Sequence, residues 1–380
     1  MHRFILSLLC VAAFGALYAF TGTSAALALL CASVIVPCAS LALGAVCARG
    51  TKVSVSIPAG FHKGGSAVCS LAVENKSFVP AFRIELTLTV KNNLTGSEER
   101  LPILAFAPPF GENTLTFLFE TVHCGQFVFE AETFRIYDFL GLRGIRKSFP
   151  IKEKRVALPD IFSLNVMLSG SETPLGGEMF SVPRKGQDRT EPFQIREYVE
   201  GDSPKQIHWK LTQKFGRYIV TDPSLELEQA LLIVWDSGQI SKDTPPEIPD
   251  ALGESAISMC VELNGNGIPY SVIWKNGETG EIMLKDVIEE DDIFDVMLGL
   301  LSASSGAGES LIPEFRTLLD GKKYSQIAYF SCRLPKELDD LAVVGQTTAF
   351  LCCTDSETEA QDAVLFTPEN YASILREIAI

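Results

Sequence analysis

The sequence predicts a membrane-anchored chain in which a β-rich domain is followed by an α/β domain. Three observations support this prediction. The first 48 residues are almost wholly apolar, residues 51–159 hold short alternating segments without a helical period, and residues 223–380 alternate strand-like and helix-like segments. The length of 380 residues fits such a partition, because one hydrophobic core rarely serves so long a chain.

Two apolar runs, Phe4–Phe20 and Ala25–Val46, flank the uncharged turn Thr21–Ser24. As helices these runs would span roughly 26 Å and 33 Å, which is close to the thickness of about 30 Å of a bilayer core. We therefore predict a two-helix transmembrane hairpin in residues 1–48, with membrane lipid as its partner. A cleaved signal peptide is the competing interpretation, but it would leave the second apolar run unexplained.

The charges beside the hairpin predict its orientation. Arg3 precedes the first span, Arg49 and Lys52 follow the second, and the turn between the spans carries no charge. Because basic residues favour the cytoplasmic side, we expect a two-pass protein of the cell membrane with both termini and all folded domains in the cytoplasm. The cysteines outside the hairpin lack metal-ligand spacing, so we expect free thiols and no zinc site.

The formal net charge of −15 is unevenly distributed. Residues 222–380 carry 29 Asp and Glu against 9 Lys and Arg, whereas residues 143–221 carry 14 basic against 9 acidic side chains. The acidic C-terminal part argues against nucleic acid as a partner. The basic middle could contact the anionic inner leaflet or face the acidic part, and both alternatives stay open.

The β-rich part, residues 51–159, is predicted to be a small antiparallel β-sandwich. Its candidate strands include Val53–Ile57, Ala67–Val73, Arg83–Val90 and Leu115–Glu120, separated by turn residues. Residues 160–186 are rich in Ser, Gly and Pro and predict a linker. In the α/β part, we expect a mostly parallel sheet covered by helices on both faces, with a last helix from Pro368 to Ile378.

Residues 187–222 hold the densest group of charged, aromatic and histidine side chains in the sequence. The turn Gly201–Pro204 separates an extended segment from the helical spacing of Lys205–Phe215. These side chains could form a cationic site for a phosphate or carboxylate, or an internal network that joins two domains, which we favour because a cationic cluster alone specifies no reaction. The group comprises Arg196, Tyr198, Gly201, Asp202, Lys205, His208, Trp209, Lys210 and Lys214.

The order Arg-x-Tyr-x-x-Gly-Asp-x-x-Lys-x-Ile-His-Trp-Lys, from Arg196 to Lys210, resembles the signature of the bacterial family called domain of unknown function 58. The stretch Tyr137–Leu142 is similar to a second motif of that family, although Asp138-Phe139 stands where Asp-Pro is usual. The resemblance implies that residues 223–380 form a von Willebrand factor A-like domain. It also implies a MoxR-type AAA+ ATPase as a partner.

A von Willebrand factor A-like domain typically binds a divalent cation through the pattern Asp-x-Ser-x-Ser after its first strand, since hard oxygen ligands suit such ions. Here Asp236 is in place and Ser237 follows it at a variable position, but Gly238 and Ile240 occupy the two serine positions. We therefore expect a degenerate site, with no Mg²⁺ and no other cofactor. Standard catalytic and nucleotide-binding motifs are absent from the sequence, and no catalytic residue is assigned.

Three functions are compatible with these observations. The first is a non-enzymatic, membrane-tethered scaffold that works with an AAA+ ATPase in envelope-associated assembly or chaperone activity. The second is an enzyme or ligand sensor that uses Arg196, Asp202, His208 and Lys210 on a phosphorylated or acidic metabolite. The third is a structural subunit of a membrane complex. We favour the first.

Overall fold

The computed structural model describes residues 2–167, 194–197, 212, 217, 219–222, 231–241, 243–304, 306, 308–353 and 363–379. The contacts divide the chain into two compact units. The first unit comprises residues 1–160, 240–254 and 298–306, and the second comprises residues 161–239, 255–297 and 307–380.

The chain begins with two long apolar helices, α1 (His2–Thr21) and α2 (Ser24–Gly50). Thr23 caps α2, since its hydroxyl accepts a hydrogen bond of 3.3 Å from the Ala26 amide. The mean hydropathy of the two helices reaches 2.2 and 2.4, and both are long enough to cross a bilayer. The expected pair of apolar helices is confirmed, and α2 continues four residues beyond the predicted end of the second span.

Two β-sheets follow within the first unit. One has three antiparallel strands in the order β1-β3-β6, and the other has five strands in the order β2-β8-β7-β4-β5, in which only β2 and β8 pair in parallel. The strands are β1 (Thr51–Ser56), β2 (Gly60–His62), β3 (Ser66–Asn75), β4 (Ala81–Asn92), β5 (Glu98–Ala107), β6 (Gly111–Glu120), β7 (Gly125–Tyr137) and β8 (Gly144–Leu158).

Both sheets contribute to one hydrophobic core. Alternate residues of β3, such as Leu71 and Val73, and of β4, such as Ile84 and Leu86, are buried in it. Phe119 lies among the aromatic rings of the core. The period-two alternation in the sequence therefore reports a genuine core face, and the sheet-rich body that it predicts is confirmed.

Helix α2 is fixed to the sheets of the first unit by the turn after β7. The Ser40 hydroxyl donates to Oδ2 of Asp138, and the Leu140 amide donates to Ser40 Oγ at 3.1 Å. Asp138 Oδ1 also accepts from the Arg143 amide at 2.6 Å. Gly44 permits the close approach, because a Cβ atom there would lie 2.8 Å from Cβ of Asp138. The second family-like motif thus forms the joint between the apolar hairpin and the sheets.

The second unit is built on a six-stranded sheet in the order β14-β13-β12-β15-β16-β17, in which β14 alone is antiparallel to its neighbour. Its strands are β12 (Leu231–Trp235), β13 (Tyr270–Lys275), β14 (Ile282–Val287), β15 (Gln326–Ser331), β16 (Gln346–Cys352) and β17 (Ala363–Phe366). Short paired strands accompany it: β9 (Asn165–Met167) with β18 (Glu377–Ala379), and β10 (Gln194–Glu197) with β11 (Ile219–Asp222).

The helices of this part of the chain are α3 (Glu247–Gly265), α4 (Asp292–Ser302), α5 (Ile312–Leu319) and α6 (Tyr371–Ile374), with 3₁₀ helices at Ser237–Gln239 and Lys336–Val343. Helix α5 buries Ile312, Phe315 and Leu319 in a core cluster that also contains residues of β12 and β15. Spacing of three and four residues places these three side chains on one helix face, which explains why this helix packs on a sheet.

One part of the sequence prediction needs correction here. The expected last helix, Pro368–Ile378, is wrong: α6 has four residues, and Glu377–Ala379 forms a strand instead. That strand pairs in parallel with Asn165–Met167, which lies in the expected linker. Pairing between residues so distant in sequence leaves no local signal, so it overrides the helical spacing. The rest of the expected linker, residues 168–186, lies outside the described residues.

Gly44→Ala is expected to destabilise the first unit, because the added methyl group meets Asp138 Cβ at 2.8 Å and its Cα at 3.1 Å. Overpacking of this kind costs about 1–3 kcal/mol. Unfolding in detergent micelles measures the effect. Gly15→Ala is the matched control, since a Cβ atom there meets only Leu30 at 3.9 Å. Equal stability of the two variants would show that the joint at Gly44 is not closely packed.

Candidate functional site

The signature region is described only in part. Arg196 lies on β10, where its backbone pairs with Val220 of β11. The remaining predicted site residues lie outside the described residues, so the cationic cluster stays a prediction. They are Tyr198, Gly201, Asp202, Lys205, His208, Trp209, Lys210 and Lys214.

The structure places Asp236 directly after the central strand β12, where it is buried. Its carboxylate accepts hydrogen bonds from the Tyr329 hydroxyl at 2.6 Å and the Ser310 hydroxyl at 2.9 Å. The Gly238 amide donates to Oδ1 at 3.1 Å, and the Leu311 amide lies 3.2 Å from both oxygens. Asp236 is thus the acceptor for four donors and holds together two loops and a strand of the second unit.

Burial is the main influence on the pKa of the Asp236 carboxyl group. Burial raises the pKa of Asp236, and the hydrogen bonds from Tyr329, Ser310, Leu311 and Gly238 offset only part of that rise. Burial, together with the neighbouring charge of Asp236, also raises the pKa of Tyr329, which therefore remains a proton donor. A buried hydrogen bond of 2.6 Å thus joins the side chains of Tyr329 and Asp236.

The residues around Asp236 do not fit a divalent-cation site. A serine at position 238 would need a Cβ atom, which would lie 2.4 Å from the carbonyl oxygen of Glu309 and 2.7 Å from Cγ of Leu311. Ile240, at the second serine position, is a buried apolar side chain. A cation would also have to replace the hydroxyl and amide donors that already surround the carboxylate. Ser237 is buried beside Asp236 and adds one further hydroxyl.

A second polar cluster, which sequence reasoning missed, lies in the first unit and centres on Lys63. Lys63 follows β2, and its Nζ lies 2.6 Å from Asp250 Oδ2 and 2.8 Å from Glu254 Oε1. The Cys124 amide donates to Asp250 Oδ1 at 2.6 Å, and His123 Nδ1 lies 3.4 Å from Asp250 Oδ2, at the edge of hydrogen-bonding distance. Both carboxylates and the thiol are buried.

The acidic residues and the thiol of this cluster could in principle hold a metal ion, because their ligand atoms lie within 4.8 Å of one another. The ammonium group of Lys63, however, takes the position of the cation between the carboxylates. Burial opposes that charge, but the hydrogen bonds to Asp250 and Glu254 outweigh it and raise the pKa of Lys63. Burial and the adjacent carboxylates raise the pKa of Cys124 well above its usual value, so the thiol is neutral and a poor ligand.

Only part of this cluster has a signal in the sequence. Asp250 and Glu254 are four residues apart in α3, so both carboxylates lie on one helix face. Lys63 and Cys124 follow β2 and precede β7, and no local pattern connects them with that helix. The cluster depends on long-range packing, which a single sequence does not reveal.

No protein-family model and no curated protein match this chain. Among solved structures, the CARDB domain of the PF1109 protein from Pyrococcus furiosus, in complex with di-metal ions, aligns with a TM-score of 0.22 and 12% identity over 28% of this chain and 87% of that chain. A β-glucosidase from Listeria innocua aligns with a TM-score of 0.20 and 9% identity over 28% and 16% of the two chains.

The alkylpurine DNA glycosylase AlkC from Pseudomonas fluorescens, bound to DNA containing an abasic site analogue, aligns with a TM-score of 0.18 and 12% identity over 33% and 39% of the two chains. At these TM-scores the likenesses support no statement about fold or function.

Lys63→Met is expected to lower the free energy of unfolding by about 3–5 kcal/mol at neutral pH, because it leaves two buried carboxylates without their cation. The deficit should shrink as the pH falls, since protons can then neutralise the carboxylates. Thermal unfolding of the wild type and the variant between about pH 5 and 8 measures both effects. Lys76→Met is the matched control, because Lys76 is exposed and pairs with the exposed Glu74. A deficit that is independent of pH would contradict the ion-pair account.

The stability of the wild type is expected to fall in acid. Burial raises the pKa of Asp250, but the contacts of His123 and Lys63 outweigh burial and hold that pKa below its usual value. A carboxyl group with a lowered folded pKa stabilises the fold above its unfolded pKa of about 4, and this contribution is lost as the pH falls through the folded value. Wild-type stability from this group is therefore expected to be constant above about pH 5 and to fall below about pH 4.

Millimolar Mg²⁺ is expected to leave the melting temperature of the wild type unchanged, because the oxygens of Asp236 are occupied by protein donors. Sodium chloride of equal ionic strength is the control for general salt effects. A rise in the melting temperature with Mg²⁺ that is lost in Asp236→Asn would contradict our interpretation of the site, since ligand binding stabilises the folded state.

Proposed function

We propose that this protein is a non-enzymatic, membrane-tethered interaction protein. The observation that carries the proposal is the joint between α2 and the sheets, formed by Ser40, Gly44 and Asp138. The apolar hairpin and the sheets belong to one compact unit. The hairpin therefore serves as a fixed membrane anchor and not as a flexible tether. A fixed anchor suits a protein that presents a binding surface at a set distance from the bilayer.

The second unit is proposed to be the part that binds the partner protein, with a von Willebrand factor A-like fold. Its five parallel strands and the order β13-β12-β15-β16 support this assignment. The chain changes direction across the sheet between β12 and β15, and ligands of such sheets bind at the carboxyl ends of the strands at that point. Asp236 and Ser331 lie at this edge, and both are buried. With the carboxylate of Asp236 committed to internal donors, contact with a partner would depend on the exposed residues of the edge and not on a bridging metal.

The proposed partner is a MoxR-type AAA+ ATPase, and the proposed role is envelope-associated assembly or chaperone activity. The partner rests on the likeness of the signature from Arg196 to Lys210. The excess of acidic residues in the C-terminal part supports a partner with a basic docking surface. The basic residues beside the hairpin, Arg3 and Arg49, support a body on the cytoplasmic side of the membrane.

The proposal is tested by affinity capture from detergent-solubilised membranes of the native host, with partners identified by mass spectrometry. We expect an AAA+ ATPase to be recovered equally with and without Mg²⁺, and equally by the wild type and the isosteric variant Asp236→Asn. The pair Arg196→Ala/Lys210→Ala examines the signature region in the same experiment. Dependence on Mg²⁺, or recovery of no such ATPase, would contradict the proposal.

A surface variant localises the contact. Leu334 follows β15 at the carboxyl edge and is 46% exposed. Leu334→Asp is expected to reduce capture of the ATPase severalfold, because a charge replaces an apolar contact at the proposed surface. Val343→Asp is the matched control. Val343 is more exposed, at 71%, and it lies three residues before the start of β16, towards the amino ends of the parallel strands. Equal losses in the two variants would show that the carboxyl edge is not the docking surface.

A further inference from the structure

The turn that holds α2 also carries an exposed aromatic ring. Phe139 lies between Asp138 and Leu140, which both bond to Ser40, yet its own side chain is 67% exposed. Its ring packs edge to face on Phe82, which is 56% exposed, with ring centroids 5.3 Å apart. Two large aromatic side chains held together outside the core are costly in water and mark an interaction surface.

If the apolar core of a bilayer begins at Ser24, these rings lie near the level at which α2 leaves it. The stretch of α2 from Ser24 to Ser40 is about 25 Å long, somewhat less than the thickness of a bilayer core. The hydroxyl oxygen of Ser40 accepts a hydrogen bond from the Leu140 amide. The guanidinium group of Arg3, at the start of α1, lies against Gly141. The turn is therefore level with the polar end of α1 and with the first buried polar residue of α2.

An apolar groove continues from the rings to the hairpin. It has a volume of about 250 Å³. Most of its lining is apolar, with Asp138 and Tyr137 as its polar members, and the remaining lining residues are Leu43, Gly44, Cys47, Val79, Pro80, Phe82 and Phe139. Two exposed basic residues are attached to the same turn: the guanidinium group of Arg3 lies against Gly141, and the backbone amide of Arg143 donates to Asp138. Apolar rings flanked by cations are typical of surfaces that lie in the headgroup region of anionic membranes.

We propose that Phe82 and Phe139 form a lipid-contacting collar that enters the interfacial layer of the bilayer beside the hairpin, with Arg3 and Arg143 facing anionic headgroups. The proposal rests on the membrane anchoring proposed above. It commits to lipid as the occupant because the groove is continuous with the apolar surface of α2. The collar would add a second contact between the first unit and the membrane, beside the hairpin.

The test uses full-length protein in phosphatidylcholine and phosphatidylglycerol vesicles with brominated acyl chains, which quench nearby tryptophan fluorescence. Phe139→Trp adds a reporter at the collar. Val122→Trp is the matched control, because Val122 is 68% exposed but lies near the start of β7, about 40 Å along that strand from Tyr137. Emission of the wild type, which has native tryptophans, is subtracted from that of each variant.

We expect the added emission of Phe139→Trp to be blue-shifted and quenched by the brominated lipid, and that of Val122→Trp to be unaffected. Phe82→Trp should behave like Phe139→Trp. If the protein floats with the vesicles but the added emission of both collar variants is unquenched, the collar is refuted while the anchor stands. If the protein does not float with the vesicles, the anchor and the collar are both refuted.

Discussion

The hydrogen bonds that join Ser40 to the turn at Asp138 and Leu140 are the constraint on which the first unit depends. They join the apolar helix α2 to a turn in which the Asp138 carboxylate accepts hydrogen bonds from the backbone amides of Leu140 and Arg143. A buried serine and a buried aspartate are tolerable there because each satisfies the other. Gly44 completes the joint by removing the side chain that would keep the two backbones apart. The anchor and the sheets thus become one body.

Two other groups of buried charged side chains in the described residues are likewise paired with donors from the protein itself. Lys63 forms ion pairs with Asp250 and Glu254 within the first unit, and Asp236 accepts hydrogen bonds from hydroxyl and amide donors within the second. Both groups occupy places that suggest a metal: a thiol with two carboxylates, and an aspartate at the end of a central strand. In each case the protein supplies its own donors, so the geometry favours a structural role over cation binding. This is why we place function on the surfaces rather than in these clusters.

The sequence predicted those features that depend on local chemistry. Uninterrupted apolar runs identified α1 and α2, and period-two alternation identified strands such as β3 and β4, because each pattern reports its own environment. The pairing of β18 with β9 and the assembly around Lys63 depend on residues far apart in the chain, and nothing local specifies them. The prediction of a degenerate site rested on Gly238, but the crowded surroundings of that residue were not visible in the sequence, since Glu309 approaches from a distant loop.

A double-mutant cycle across the joint tests the central claim most directly. Ser40→Ala, Asp138→Asn and the double variant are unfolded in micelles, and the coupling free energy is obtained from the four stabilities. We predict a coupling of about 0.5–3 kcal/mol, as found for residues that share hydrogen bonds. Single effects that add within about 0.3–0.5 kcal/mol would show that the two residues act independently and would contradict the account of a rigid anchor.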